Sequence, residues 1–135
     1  VRMERHCSNA QAIAEFLSAH EKVDKVYYPG LPDFEGYELA SRQMDGFGGM
    51  VSFLLKDDSM EAATQVLSST QVFTLAESLG GVESLMNHPA TMTHASIPAN
   101  ERLAAGLHDS LIRLSVGIED VNDLIADLDR TLAEL

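Results

Sequence analysis

The sequence predicts a single α/β domain in which a mainly antiparallel sheet of four or five strands has helices packed on one face. The first observation behind this prediction is that segments with helical apolar spacing alternate with short apolar runs typical of strands. The second is that the 135 residues contain no internal repeat, low-complexity segment or linker. A chain of this length can bury one core. We therefore expect one domain spanning residues 1–135.

The first half of the chain alternates between helix and strand patterns. An apolar stripe at helical spacing predicts the first helix, and it consists of Met3, Cys7, Ala10, Ile13, Ala14 and Leu17. Asp58 and Glu61 have the spacing of a capping box and predict the start of another helix near residue 59. The predicted elements are helix 2–20, strand 23–28, helix 37–44, strand 50–55 and a helix that runs to residue 69.

The second half contains shorter elements. Apolar runs predict strands over residues 72–75, 82–86 and 111–116, with a helix from about 99 to 106. Residues 87–98 form either a loop or a short irregular helix. The last helix spans residues 119–135, and Glu119, Asp120 and Asp123 lie in its first turn, where the helix dipole favours negative charge.

A glycine-rich stretch, residues 45–49 (DGFGG), separates the second predicted helix from the following strand. Its order, helix then strand, is the reverse of a dinucleotide-binding turn, and it lacks the lysine and hydroxyl residue of a phosphate-binding loop. We predict a flexible connector.

The charge balance excludes several classes of partner. The chain has 9 Lys and Arg against 21 Asp and Glu, a net charge of −12, which argues against nucleic acid and anionic membranes.

No apolar run is long enough to span a membrane. No signal peptide is visible, and the chain begins with Val1, which indicates a piece of a longer protein.

The sulfur and imidazole side chains give no sign of a metal site. Cys7 is the only cysteine and lies on the apolar stripe, so a buried, inert thiol is expected, and a reducing cytoplasm is consistent with it. His88 and His94 are six residues apart with Pro89 between them, which is poor geometry for a pair of ligands.

Residues 72–92 (VFTLAESLGGVESLMNHPATM) contain the first candidate site. Glu77 and Ser78 lie at a strand-to-turn junction before Gly80 and Gly81, where the backbone can turn sharply. A hydroxyl and a carboxylate there can hold a small polar ligand. The alternative is a plain Gly-Gly hairpin whose Ser78 and Glu77 face water.

Arg113 is the only arginine inside a predicted strand, and its strand is strongly apolar. A half-buried guanidinium needs a partner, and its planar fork matches a carboxylate at two points. The partner is either one of the chain's own acidic side chains or the carboxylate of a bound substrate.

Three stretches together resemble a known family: residues 74–85 (TLAESLGGVESL), 88–94 (HPATMTH) and 111–120 (LIRLSVGIED). They are similar to the C-terminal domain of the pyridoxal-phosphate enzymes of cysteine and methionine metabolism. This group includes cystathionine γ-lyase, γ-synthase and β-lyase, methionine γ-lyase and O-acetylhomoserine sulfhydrylase. The resemblance covers essentially the whole chain and implies the small C-terminal domain of a fold-type I enzyme.

The resemblance also implies roles for individual residues. Arg113 matches the arginine that pairs with the substrate α-carboxylate, and Ser78, followed by Leu79, matches the serine that helps to orient it. Glu77 is expected either to meet the distal amino group of cystathionine or to have no role, and His94 to hold a loop. The cofactor, pyridoxal 5'-phosphate, and its lysine would belong to a larger domain outside this chain. Lys22, Lys25 and Lys56 match no such lysine motif, so the chain alone is not expected to be catalytic.

For the complete protein, the resemblance implies a cytoplasmic homotetramer that acts on a small-molecule amino acid. Cystathionine γ-lyase is the expected activity, with γ-synthase, methionine γ-lyase and O-acetylhomoserine sulfhydrylase as alternatives. Two readings from other classes stay open: a non-catalytic amino-acid-binding module and a purely structural domain.

Overall fold

The computed structural model describes all 135 residues and contains five helices and five strands. The helices are α1 (Arg2–Ala19), α2 (Tyr37–Gln43), α3 (Met60–Ser69), α4 (Ala99–Ala104) and α5 (Val121–Ala133). The strands are β1 (Val23–Tyr27), β2 (Met50–Leu55), β3 (Thr74–Leu75), β4 (Leu85–Asn87) and β5 (Leu111–Ser115). Each lies within about three residues of its predicted bounds, and none of the helices is both long and apolar enough to span a membrane.

The five strands form one mostly antiparallel sheet in the order β1-β2-β5-β4-β3. The pairs β1–β2, β2–β5 and β4–β5 are antiparallel, which confirms the predicted mainly antiparallel sheet. The register places Arg113 of β5 between Ser52 of β2 and Asn87 of β4. Arg113 therefore lies in the middle of the central strand.

The two strands around the Gly-Gly turn do not form a hairpin. β3 and β4 are parallel, with Thr74 opposite Leu85 and Leu75 opposite Met86. The hairpin alternative is therefore wrong. Because adjacent parallel strands run in the same direction, the chain has to return from the end of β3 to the start of β4. Residues 76–84 form this crossover connection. Below, residues 76–83 are called the crossover loop.

One face of the sheet carries the hydrophobic core. Val51 and Phe53 of β2 and Ile112 and Leu114 of β5 are all fully buried there. They pack with side chains of α1, α3 and α5, among which Ile13, Leu17, Val66, Leu124, Leu128 and Leu132 are also fully buried. Each such side chain contributes about 1.5–3 kcal/mol of burial free energy. Because side chains alternate along a strand, Ser52 and Arg113 lie on the opposite face.

The buried side of α1 differs from the predicted stripe. His6 and Asn9 are buried, whereas Met3 is 48% exposed and Cys7 is only half-buried. The expected buried thiol is therefore corrected to a half-buried one. The cause is polar contact, since His6 Nδ1 lies 2.6 Å from the backbone O of Val116 and Asn9 donates to the backbone O of Gly117.

Two carboxylates predicted at helix starts have other roles. The N-cap of α3 is Ser59, whose hydroxyl accepts from the backbone N–H of Ala62 at 3.1 Å. Asp58 instead contacts His108 and the N–H of Ser110, and these contacts lower the pKa of its carboxyl against the opposing effect of burial. The N-cap of α5 is Asp120, while Glu119 lies outside the helix.

The glycine-rich connector is anchored by aromatic contacts. Phe47 stacks on Tyr37 with ring centroids 5.9 Å apart and meets Tyr28 edge-to-face at 6.3 Å. The hydroxyl of Tyr28 donates to the backbone O of Gly48 at 3.0 Å. The expectation of a flexible connector overlooked Phe47, whose ring fixes the stretch against the core.

Candidate substrate-carboxylate site

Arg113 is half-buried on the face of the sheet opposite the core. Its guanidinium forms one hydrogen bond, from Nη2 to the backbone O of Glu77 at 3.1 Å. Its Nε–H is buried and has no partner. Most of the guanidinium fork is therefore free to receive an acceptor.

No carboxylate of the chain pairs with this guanidinium. The buried Arg102 pairs with Asp109, and Arg130 lies 2.7 Å from Asp127 and 3.5 Å from Glu134. Arg113 takes part in none of the ion pairs. The internal salt bridge that the sequence left open is not formed, although a half-buried cation gains most from an acceptor of opposite charge.

The crossover loop is fixed against the carboxyl end of β5. The N–H of Gly80 donates to the Ser115 hydroxyl at 2.8 Å, and Arg2 Nη1 donates to the backbone O of Gly80 at 2.9 Å. Gly80 has a φ of +79°, a conformation that favours glycine. Together with the contact between Arg113 and Glu77, these bonds hold the loop over the free guanidinium.

The loop presents unused hydrogen-bonding groups beside Arg113. Glu77, Ser78 and Leu79 are all exposed, and Leu79 is 53% exposed. The Ser78 hydroxyl and the backbone N–H groups of Ser78 and Leu79 have no partner within the chain. The structure therefore brings the four sequence-predicted residues Arg113, Glu77, Ser78 and Leu79 to one place on the surface.

A hydrogen-bond network at the base of the loop involves residues that the sequence analysis did not assign to the site. The backbone N–H and the hydroxyl of Ser84 donate to the Glu119 carboxylate at 2.6 and 2.8 Å, and the N–H of Gly117 donates to the Ser84 hydroxyl at 2.8 Å. The Val82 backbone O accepts from Ile118 at 2.9 Å. A Cβ at Gly117 would lie only 2.3 Å from that Val82 oxygen, so glycine is required there.

Replacing Ser84 with alanine is expected to lower the free energy of unfolding by about 2 kcal/mol, because the buried Gly117 N–H loses its only partner. Urea unfolding of the 135-residue chain measures this change. Ser68→Ala, at an exposed hydroxyl that bonds only to its own helix, is the matched control and should change stability by less than about 0.5 kcal/mol. Equal effects of the two variants would contradict the role of the network.

A second carboxylate fixes the segment that leads into β3. Asp127 is 5% exposed and accepts from the backbone N–H groups of Gln71, Val72 and Phe73 at 2.8–3.1 Å. Burial of the Asp127 carboxyl acts to raise its pKa, but these three donors and Arg130 outweigh burial and hold the pKa below the ordinary value. Asp127 thus fixes the position at which β3 starts.

Two histidines take part in holding the loop after β4. His94 bonds through its ring only to the neighbouring Thr93 hydroxyl. The buried His88 instead joins Thr91 and the backbone O of Asp109, each at 2.8 Å, and so ties the loop after β4 to the segment before β5. The prediction that His94 holds a loop by hydrogen bonds is confirmed through its backbone, since its N–H donates to the Pro89 O at 2.9 Å and its O accepts from Ile97 at 3.0 Å.

The lysines of the chain lie away from the candidate site. Lys22, Lys25 and Lys56 lie on β1 or at the neighbouring strand ends, and Lys25 packs over the ring of Tyr27. None of them is on the crossover loop or on β5. No group of three His, Cys, Asp or Glu side chains is placed to hold a metal ion.

Comparison with known proteins shows the family of this chain. The sequence model of the Cys/Met metabolism PLP-dependent enzymes matches residues 1–133. The chain belongs to this family. It is 55% identical over 132 residues to the cystathionine gamma-lyase of Dictyostelium discoideum and 57% identical over 132 residues to the cystathionine beta-lyase of Coxiella burnetii. These matches cover 98% of the chain.

A solved structure from this family has the same fold. The cystathionine gamma synthase from Xanthomonas oryzae pv. oryzae, in complex with aminoacrylate and cysteine, matches 98% of the chain with a TM-score of 0.92 and 51% identity. The chain spans only 34% of the length of each of these three proteins. The sheet is thus the one found in part of a fold-type I PLP enzyme.

Proposed function

We propose that this chain is the C-terminal domain of a PLP-dependent transsulfuration enzyme and that it binds the substrate α-carboxylate. One observation carries the proposal: the Arg113 guanidinium, in the central strand, has no carboxylate partner and lies under a loop with free hydrogen-bond donors. A half-buried arginine of this kind matches a planar carboxylate at two points.

Each residue has a distinct task at the site. Arg113 binds the α-carboxylate. The N–H groups of Ser78 and Leu79 and the Ser78 hydroxyl donate further hydrogen bonds to that carboxylate. The Glu77 backbone O fixes one edge of the guanidinium. The exposed Glu77 carboxylate is then available for the distal amino group of a diamino acid such as L-cystathionine.

Fixing the carboxylate has a chemical consequence at the neighbouring carbon. When the α-carboxylate and the α-amino group are both held, the substrate cannot rotate about the bonds to Cα. The Cα–H bond therefore has a fixed orientation in the site. Pyridoxal phosphate, held by the part of the longer protein outside this chain, supplies the electron sink for the electron pair left at Cα. This chain supplies orientation and charge complementarity.

The proposed reaction is that of cystathionine γ-lyase. L-Cystathionine and water give cysteine, 2-oxobutanoate and ammonia, with cleavage of the Cγ–S bond. The alternative is cystathionine γ-synthase, which joins cysteine to an activated homoserine, and the similarity to the Xanthomonas oryzae synthase favours keeping it. Both reactions need a substrate whose α-carboxylate is held in the same way.

Expression of the complete gene tests the proposal. We expect a protein about three times the length of this chain, since the chain spans 34% of its relatives, with a visible absorbance band from bound cofactor. Incubation with L-cystathionine should release cysteine and 2-oxobutanoate, and incubation of an activated homoserine with cysteine tests the synthase. A colourless parent protein that still binds a free amino acid would support a binding module instead.

The assembly and location of the complete enzyme stay predictions. The homotetramer is tested by light scattering of the complete protein, and the cytoplasmic location by fractionation of the source cells.

A further inference from the structure

Two buried polar atoms without a partner lie on paired residues of neighbouring strands. Asn87 of β4 is directly opposite Arg113 of β5, so both side chains leave the sheet on the same face. Asn87 is 1% exposed, and its Oδ1 is buried with no hydrogen-bond partner. The Arg113 Nε–H is likewise buried without a partner. One atom is an acceptor and the other is a donor.

The orientation of the Asn87 amide is fixed by a second contact. Its Nδ2 donates to the sulfur of Met92 at 3.5 Å, and a thioether sulfur can only accept a hydrogen bond. The amide oxygen therefore points away from Met92. The buried donors without partners are Arg102 Nε and Arg113 Nε, and only Arg113 is paired with Asn87 in the sheet register.

We propose that Asn87 is a positioning residue for Arg113: its Oδ1 accepts the Nε–H when the guanidinium closes on a carboxylate. The proposal rests on the proposed function of Arg113. In the free chain, Nη2 of Arg113 bonds to the Glu77 backbone O and Nε stays unpaired. When a carboxylate binds the outer edge of the Arg113 guanidinium, the guanidinium plane turns. Asn87 Oδ1 then accepts the Nε–H and fixes this plane from the inner side.

The hydrogen bond from Arg113 to Asn87 therefore forms only when a carboxylate is bound. Because Oδ1 has no partner in the free chain, exchanging Asn87 for the similarly shaped leucine should change stability little. A residue with a merely structural role would show the opposite result, a loss of stability without selectivity for carboxylates.

The test uses the complete enzyme carrying its cofactor and two ligands that differ only at the α-carboxylate, L-alanine and L-alaninamide. Calorimetric titration gives both dissociation constants, and their ratio measures the preference for the carboxylate. Asn87→Leu should lower this preference about ten- to hundredfold, as expected for one hydrogen bond to a charged group. Asn87→Ser gives the same test if the leucine variant does not fold.

A charged variant adds a second expectation. Asn87→Asp places a carboxylate directly opposite Arg113, where it competes with the ligand, so the preference should fall further than in Asn87→Leu. Ser52→Ala is the matched control, because Ser52 flanks Arg113 from β2 and has no buried unpartnered atom. It should keep the wild-type preference.

The outcomes separate the inference from the proposed function. If Arg113→Ala loses the preference while Asn87→Leu and Asn87→Ser keep it, Asn87 does not position Arg113 and the carboxylate site stands. If Arg113→Ala itself keeps the preference, the proposed function fails and the role of Asn87 fails with it. An equal loss in Ser52→Ala would also overturn the inference.

Discussion

Replacing Arg113 with alanine in the complete enzyme should lower kcat/KM for L-cystathionine by roughly 30-fold to several thousand-fold. Truncating one partner of a half-buried, hydrogen-bonded charge pair costs roughly 2–5 kcal/mol, and each 1.4 kcal/mol is about tenfold. The visible absorbance of the cofactor should stay intact, because the proposed contact of Arg113 is with the substrate carboxylate. Steady-state kinetics and the absorbance spectrum measure the two effects.

Two variants control for the loss of charge and for the loop. Arg42→Ala removes a positive charge from the exposed face of α2, far in sequence from the site, and should leave kcat/KM nearly unchanged. Ser78→Ala should cost less than Arg113→Ala, since backbone N–H groups of the crossover loop share the role of its hydroxyl. If Arg113→Ala keeps nearly full activity, Arg113 is a structural residue and the site assignment is wrong.

The largest expected effect on stability is that of Asp127→Ala, which should lower the free energy of unfolding by about 3–5 kcal/mol. Its carboxylate is 5% exposed and partners three backbone N–H groups and Arg130. Removing it leaves buried donors and a cation without their acceptor. Urea unfolding of the chain at pH 7, followed by circular dichroism, measures the change.

The same carboxylate predicts a dependence of stability on pH. Its folded-state pKa lies below the ordinary value of about 3.9, so its contribution is fully present above that value. The contribution is lost as the pH falls through the lowered folded-state pKa. Wild-type stability should therefore drop in this acidic range more steeply than that of Asp127→Asn, which cannot ionise.

Asp129→Asn is the matched control for both measurements. Asp129 lies on the same helix two residues away, and its side chain is 63% exposed. Its replacement should change stability by less than about 1 kcal/mol and leave the steep acid transition in place. A similar loss in Asp127→Asn and Asp129→Asn would show that the buried hydrogen bonds of Asp127 are not what stabilises the segment that leads into β3.

The elements of the fold could be predicted because their signals are local. The alternating apolar residues of β5 and the stripe of α5 with Leu124, Leu128 and Leu132 specify strand and helix within one short window. The short strands were predicted less well. β3 has only two residues, and nothing in its own sequence indicates that it pairs with β4 in parallel.

The candidate site was predictable only in part. Arg113 stands out in the sequence because a cation inside an apolar strand is rare, and the resemblance pointed to Glu77, Ser78 and Leu79. Ser115 could have been found as the next residue on the same face of β5, two positions after Arg113. Glu119 and Asn87 gave no such signal, since one looked like a helix-start carboxylate and the other like a loop residue.

The sequence by itself determined which segments are helices and strands, the single arginine within a strand, and the family through its motifs. Only the tertiary structure decided which partners the polar groups find. Asp127 accepts hydrogen bonds from backbone N–H groups 54–56 residues away, and Glu119 accepts from Ser84, which is 35 residues away. Arg113 has no carboxylate partner. The physical reason is that secondary structure follows from neighbours along the chain, whereas a buried polar group takes its partner from whichever segment packing brings beside it.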